Sequence, residues 1–166
     1  MKKSTFFLVF ILACNFVIAQ NYFIKFDGID GESNNVAHRG WSDIESFNQE
    51  LGSTPNMITT TRTRGPASLG KTISFVKIID KSSLKIMEAL TREKRFPNVE
   101  IEMSISENVI YRSELRNVAV TKYIVMGTES ELPREEITIS FEEQRVRYTE
   151  YDNSGRPKGN IETEYK

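Results

Sequence analysis

The chain has one cysteine and one histidine in 166 residues. Cys14 lies inside the N-terminal apolar run, so the remainder has no thiol for a disulfide, a nucleophile or a metal ligand. A metal site built on His38 would need several carboxylates, so we interpret this residue as an ordinary loop histidine. These absences, and the lack of a serine elbow motif, predict that the protein is not an enzyme and has no catalytic residue, cofactor or metal.

Beyond its N-terminus the chain has no long apolar run. Phe6–Ile18 follows a basic start and leads to Ala19, a pattern typical of an export signal cleaved before Gln20. The run is too short to span a bilayer as a helix. A lipid on Cys14 is the alternative, but Leu12 fits that motif poorly and the apolar run continues past the cysteine. We predict a signal peptide over 1–19, one domain over 20–166, and a periplasmic or extracellular location without membrane attachment after cleavage.

The chain also lacks a surplus of positive charge. It has 22 basic and 23 acidic residues, a formal net charge of −1, and removal of Lys2 and Lys3 with the signal makes it more negative. A protein that binds the phosphate backbone carries a basic patch or a high isoelectric point. The balance therefore argues against a nucleic-acid partner.

Two glycine-containing segments resemble ligand-binding motifs. Gly65–Thr72 fits the P-loop pattern GxxxxGK[ST], but a P-loop requires a helix that starts at Lys71, and the residues from Thr72 onward favour a strand. Asp27–Gly31 has the acidic character of a calcium loop without the alternating ligands and later glutamate of an EF-hand. We interpret the first as a glycine loop and the second as a turn.

The most informative stretch predicts a strand, a helix and a second strand. Ile73–Ile79 is rich in β-branched residues, and Val99–Ser106 alternates apolar with polar side chains, as a strand with one buried face does. Between them, residues 82–95 have helical periodicity, with Ser82 or Ser83 as cap and Pro97 closing the helix. The predicted apolar face of the helix comprises Leu84, Ile86, Met87 and Leu90, with Leu90 at its centre.

The rest of the chain predicts further short strands. Alternation or β-branched content marks the segments Tyr22–Phe26, Trp41–Phe47, Val109–Leu115, Val118–Met126, Glu136–Glu142 and Arg145–Tyr151. Asn48–Lys71 reads as a long projecting loop, Asp152–Gly155 as a turn, and 156–166 as a polar tail. Paired acids such as Glu135 with Glu136 read as surface charges. Many antiparallel strands with one helix predict a mainly β fold, a small barrel or sandwich.

Several blocks of the sequence resemble the haemolysin-coregulated protein (Hcp) family, the tube protein of type VI secretion. The helix block ISFVKIIDKSSLKIMEAL is similar to the family pattern F-x-K-x-x-D-K-x-S-P-x-L, with Leu84 in place of the proline. The other blocks, in family order, are YFIKFDGIDGES, HRGWSDIESFNQ, NVEIEM, LRNVAVTKY, PREEITISFEEQRVRY and DNSGRPKG. Together they cover Tyr22 to about Gly159, and the helix block and the late strand pair are the most specific.

The resemblance implies a small antiparallel β-barrel of two sheets with one flanking helix, assembled into homo-hexameric rings. Rings of this kind stack into a tube that carries, or is secreted with, effectors, so the implied partners are the protein itself, the secretion apparatus and effector proteins. The alternative is an exported β-barrel binding module that no longer forms a tube. In the hexameric assembly, Arg62 and Arg64 of the long loop are expected to contact Glu100 and Glu102 of a neighbouring subunit or ring.

Overall fold

The computed structural model describes residues 20–53 and 69–166. This part of the chain is mainly β, with one α-helix and a short 3₁₀ turn at Val36–His38. The elements are β1 (Gln20–Phe26), β2 (Ser42–Ile44), β3 (Ser46–Ser53), β4 (Leu69–Ile78), α1 (Ser83–Thr91), β5 (Arg95–Ile105), β6 (Asn108–Thr128), β7 (Glu131–Ser140), β8 (Glu143–Tyr151) and β9 (Pro157–Tyr165).

The strands form one antiparallel sheet in the order β2-β1-β5-β6-β7-β4-β3, and β8 and β9 extend it from β6. The predicted barrel of two sheets is therefore wrong, because the sheet is not closed. β2 pairs with β1 and β3 pairs with β4, so the chain changes partner at Glu45. The Glu45 N–H donates to the Val76 carbonyl over 2.8 Å. The backbone thus passes from one edge strand of the sheet to the other at Glu45, but β2 and β3 are not hydrogen-bonded to each other as neighbouring strands.

β6 is a single long strand that joins two parts of the sheet. Its first half pairs with β5 on one side and with β8 on the other, and its second half pairs with β7. The sequence predicted two separate strands here, Val109–Leu115 and Val118–Met126. Asn117 does adopt the left-handed conformation of a turn residue, with φ of 52°, but the chain continues as a strand past it.

α1 is shorter than predicted, and its buried face is different. It begins at Ser83 and ends at Thr91, because Glu93 adopts a left-handed φ of 52° that stops the helix before Pro97, which lies in β5. Ile86 and Ala89 are fully buried, whereas Leu84 is 74% exposed. Leu90, the predicted centre of the apolar face, packs only partly against the core.

The core lies on one face of the sheet, where α1 also packs. Its largest buried apolar side chains come from β1, β4, α1, β5, β6 and β7: Ile24, Phe26, Ile73, Phe75, Ile86, Phe96, Ile101, Leu115, Ile137 and Ile139. Alternate residues of each strand enter it, as the pleat of a strand requires.

The C-terminal residues form a strand that the sequence analysis missed. The predicted turn at Asp152–Gly155 is present, with the Asp152 N–H donating to the Arg156 carbonyl over 2.9 Å. The segment after it, read as a polar tail, is β9, which pairs with β8 and is exposed along its length.

Two predictions fall partly or wholly outside the described residues. The signal peptide over 1–19 lies outside them and stays a prediction. Of the P-loop pattern, residues 65–68 also lie outside, but Leu69–Thr72 belong to β4, so no helix begins at Lys71. Within residues 20–53 and 69–166, no helix is long and apolar enough to cross a bilayer.

Candidate functional site

A buried ionic cluster lies where the end of β4, the start of α1 and β7 meet. Lys77 and Glu135 are both completely buried, and the Lys77 Nζ lies 2.8 Å from Glu135 Oε1 and 2.7 Å from Asp80 Oδ1. Lys77 occupies the inward row of β4 with Ile73 and Phe75, and Glu135 occupies the inward row of β7. We call this set, with Ser42, Ser82, Ser83 and Tyr123, the Lys77 cluster.

Serine hydroxyls complete the hydrogen bonding of the cluster. The Ser83 hydroxyl donates to Glu135 over 3.0 Å and accepts from the Asp80 backbone N–H, also over 3.0 Å. Asp80 in turn accepts from the Ser82 backbone N–H over 2.8 Å and from the Ser42 hydroxyl over 2.6 Å. These bonds attach the first turn of α1 to β2, β4 and β7. Asp80 and Ser83 of the helix block therefore hold the helix against the sheet.

Protonation in the Lys77 cluster follows from burial and these bonds. Burial acts to raise the pKa of Asp80, but the hydrogen bonds from Lys77, Ser42 and Ser82 outweigh it and hold this pKa below its ordinary value. Burial and the bond to the Glu135 carboxylate raise the pKa of Tyr123, so its phenol stays protonated and donates to Glu135. The cluster therefore joins one amino group to two carboxyl groups, and hydroxyl and backbone donors supply the remaining hydrogen bonds of the carboxyl groups.

A second polar cluster surrounds His38, which lies in the loop before β2, as predicted, but is buried. His38 is 5% exposed and stacks on Phe23, with ring centroids 3.8 Å apart and planes 7° apart. Its Nε2 lies 2.7 Å from Glu102 Oε2, and its Nδ1 lies 3.2 Å from Asn35 Oδ1. The loop that carries His38 thereby covers the outer face of β5. Glu102, which the alternating pattern of this strand predicted to face solvent, is only 6% exposed.

Glu102 is tied to a further network on β5 and β6. Arg112 Nη1 lies 3.3 Å from Glu102 Oε1, and the Arg112 guanidinium also binds Glu100 and lies near Glu114. Because Arg112 already engages Glu100 and Glu102, these carboxylates are poor partners for Arg62 and Arg64 of another copy. Arg62 and Arg64 lie outside the described residues, so their contact with these carboxylates stays a prediction.

Neither cluster has the features of a catalytic centre. Lys77 and Glu135 of the Lys77 cluster are completely buried, so no substrate reaches the charged atoms of these two side chains. In residues 20–53 and 69–166 there is no group of three or more histidine, cysteine, aspartate or glutamate side chains arranged to hold a metal ion. What the clusters do is position α1 and the loop before β2 against the sheet.

Two further features of the surface are a groove and an exposed hairpin. A groove of about 280 Å³ lies beside the end of β4; its carboxylates are Glu32, Asp43, Glu45 and Asp80, and its apolar residues are Ile44, Ile78 and Ile79. We call it the acidic groove. At the end of the β6–β7 hairpin, Ile124, Val125, Met126 and Leu132 are 38%, 53%, 38% and 67% exposed, and we call these residues the hairpin end.

The model of the family described as "Type VI secretion system effector, Hcp" matches residues 23–148. The chain belongs to the Hcp family. Hcp is a structural family of type VI secretion and not an enzyme family, which agrees with the reading of the two clusters as structural. None of the curated proteins matches the chain.

Solved structures of Hcp and related proteins have the same fold. A structure described as a type six secretion system protein is 25% identical, covers 86% of this chain and 92% of its own, and superposes with a TM-score of 0.74. A type VI secretion system effector from Yersinia pestis is 24% identical, with 87% and 98% covered and a TM-score of 0.71. Hcp1 from Salmonella typhimurium is 21% identical, with 89% and 95% covered and a TM-score of 0.75.

Sequence reasoning missed most of the Lys77 cluster of this Hcp protein. It placed Lys77, Asp80 and Ser83 in the helix block without assigning contacts, and it read Glu135 as a surface charge, which is wrong because Glu135 is completely buried. A signal was present: Lys77 continues the apolar row of Ile73 and Phe75, and a lysine in such a row requires a buried acidic partner.

Proposed function

We propose that this Hcp protein is a non-enzymatic structural component of type VI secretion that forms homo-hexameric rings. The rings stack into a tube that carries effectors or is secreted with them. Family membership supports the secretion role, and the hairpin end is the observation that supports self-assembly. Four large apolar side chains are exposed near one end of the sheet, and a concentration of exposed apolar side chains is typical of an interaction site.

The hairpin end suits a contact between subunits because both of its faces are exposed. Ile124 and Met126 lie on one face of β6 and Val125 on the other, since successive residues of a strand point in opposite directions. Tyr123 and Glu135 of the Lys77 cluster anchor the base of this hairpin to the core. A rigid base with an apolar tip gives each subunit a preformed contact, which lowers the entropic cost of assembly.

Substitution of Val125 tests this assembly. We expect the chain lacking residues 1–19 to have a hexameric mass by light scattering, and Val125→Glu to lower that mass, because a carboxylate in an apolar contact must be desolvated without a partner. Leu84→Glu is the matched control, because Leu84 is also exposed but lies on α1. Circular dichroism confirms that both variants fold. A wild-type monomer at high concentration would instead favour the binding-module alternative.

We also propose that the protein is exported and acts in the periplasm or outside the cell. The basic start, the apolar run Phe6–Ile18 and Ala19 support cleavage before Gln20. The intact mass of the protein isolated from its host is expected to match a chain that starts at Gln20. A mass that includes Met1, or one that includes a lipid on Cys14, contradicts this proposal.

A further inference from the structure

Gln20 is the residue that the proposed export cleavage leaves at the start of the chain. A glutamine in this position can react with itself, because its α-amino nitrogen is able to attack its own side-chain carbonyl carbon. The new C–N bond closes a lactam, and the bond from that carbon to the amide nitrogen breaks. The amide nitrogen takes one amine proton and leaves as ammonia, so the reaction needs no co-reactant. An α-amino group has an ordinary pKa of about 7.7–8.0, so part of it is unprotonated and nucleophilic at neutral pH.

We propose that the exported protein is modified at Gln20 to pyroglutamate, an inference that rests on the cleavage proposed above. Gln20 begins β1 and lies opposite Ile105 of β5. At the other end of this pairing the Asp27 N–H donates to the Asn98 carbonyl over 3.1 Å. Hydrogen-bonded and non-hydrogen-bonded pairs alternate along an antiparallel ladder, so Asn21 is hydrogen-bonded to β5 and Gln20 is not. The backbone nitrogen of Gln20 therefore points away from β5.

The other side of β1 also leaves this nitrogen unpaired. In the described part of the chain, β2 is paired with β1 only from Tyr22 to Ile24. The Gln20 side chain is exposed, and its amide nitrogen donates to the Met103 sulfur over 2.8 Å. A thioether sulfur is a weak acceptor, so little is lost when the side chain turns toward its own amine. Closure of the lactam therefore breaks no ladder bond between β1 and β5.

The modification changes the chemistry of the chain terminus. A lactam has neither the positive charge nor the free amine of an ordinary N-terminus. Aminopeptidases act on a free α-amine, so they cannot shorten the chain from a closed Gln20. β1 contains the buried core residues Ile24 and Phe26. The lactam thus protects a strand on which the core depends, in a protein that is exported.

The first test is the intact mass and N-terminal sequence of the protein isolated from its host. We expect the mass of residues 20–166 less one molecule of ammonia, and no signal in Edman degradation. Treatment with pyroglutamyl aminopeptidase is then expected to give a sequence that begins at Asn21. The mass of residues 20–166 with a free amine would overturn this inference and leave the proposed export intact. A mass that includes Met1, or a lipid on Cys14, would overturn both.

The second test examines the structural basis of the reaction. A chain that begins at Gln20 is released from a fusion protein, and its loss of ammonia is followed by mass spectrometry in buffer and in denaturant. We expect equal rates, because the fold does not hold the amine. The control chain begins at residue 21 with Asn21→Gln, where the ladder directs the amine to Ser104. This control is expected to cyclise more slowly when folded than when denatured. A Gln20 chain that is also slowed by folding would overturn the inference.

Discussion

Replacement of Lys77 by methionine is expected to destabilise the protein by about 3–5 kcal/mol. The ammonium group lies within 2.8 Å of both Glu135 and Asp80, and Lys77 and Glu135 are completely buried. Methionine fills a similar volume but leaves the Glu135 carboxylate in the core without a cation. The cost comes from this uncompensated charge and not from a cavity. Denaturant titration of the chain lacking residues 1–19 measures it.

Lys122→Met is the matched control, because Lys122 also binds a glutamate of β7. Lys122 Nζ lies 2.8 Å from Glu136 Oε1, but the two side chains are 52% and 32% exposed, so the loss is expected to stay below about 1 kcal/mol. Glu135→Gln added to Lys77→Met is expected to recover part of the stability, since it removes the stranded charge. Equal losses in the free energy of unfolding for Lys77→Met and Lys122→Met would show that Glu135 does not need Lys77 as a buried partner.

Ile86→Ala is expected to cost about 2–5 kcal/mol, because Ile86 is completely buried between α1 and the sheet and its removal leaves a cavity. Leu84→Ala, on the same helix but 74% exposed, is expected to change stability by less than about 0.5 kcal/mol. Leu90→Ala should fall between them, since Leu90 packs only partly against the core. A larger loss for Leu90→Ala than for Ile86→Ala in the same titrations would mean that α1 faces the sheet as the sequence pattern predicted.

The strands were predictable where one face is buried and the other is exposed to solvent. Ile137 and Ile139 of β7 alternate with polar residues and are completely buried, as the period of two requires. The same rule failed on β5, because the loop that carries His38 covers its outer face and buries Glu102. Periodicity within one strand contains no information about a loop that folds over it from elsewhere in the chain.

The helix shows a different limit of sequence reasoning. Leu84, Met87 and Leu90 made a plausible apolar stripe, but the Lys77 cluster fixes the first turn through Ser82 and Ser83 and so sets which side of α1 faces the sheet. Small residues, Ser83 and Ala89, then share the buried face with Ile86. The rotation of a short helix is determined by these polar contacts, and a hydrophobicity pattern does not reveal them.

The site was predictable only in part, for a related reason. The helix block identified the segment that holds Lys77, Asp80 and Ser83, but the acidic groove combines the loop before β2 with the end of β4. Glu32 and Ile78 are far apart in sequence and become neighbours only through the change of pairing partner at Glu45. The register of the sheet, and not a local motif, creates the groove.

The exposed position of β9 bears on solubility. In the described residues β9 has a ladder partner on one side, and a free strand edge of this kind can promote uncontrolled growth of a sheet into aggregates. Its own residues oppose this, because Pro157 has no amide hydrogen to donate and Lys158, Glu162 and Glu164 place charges along the edge. These features protect the protein against precipitation through its last strand.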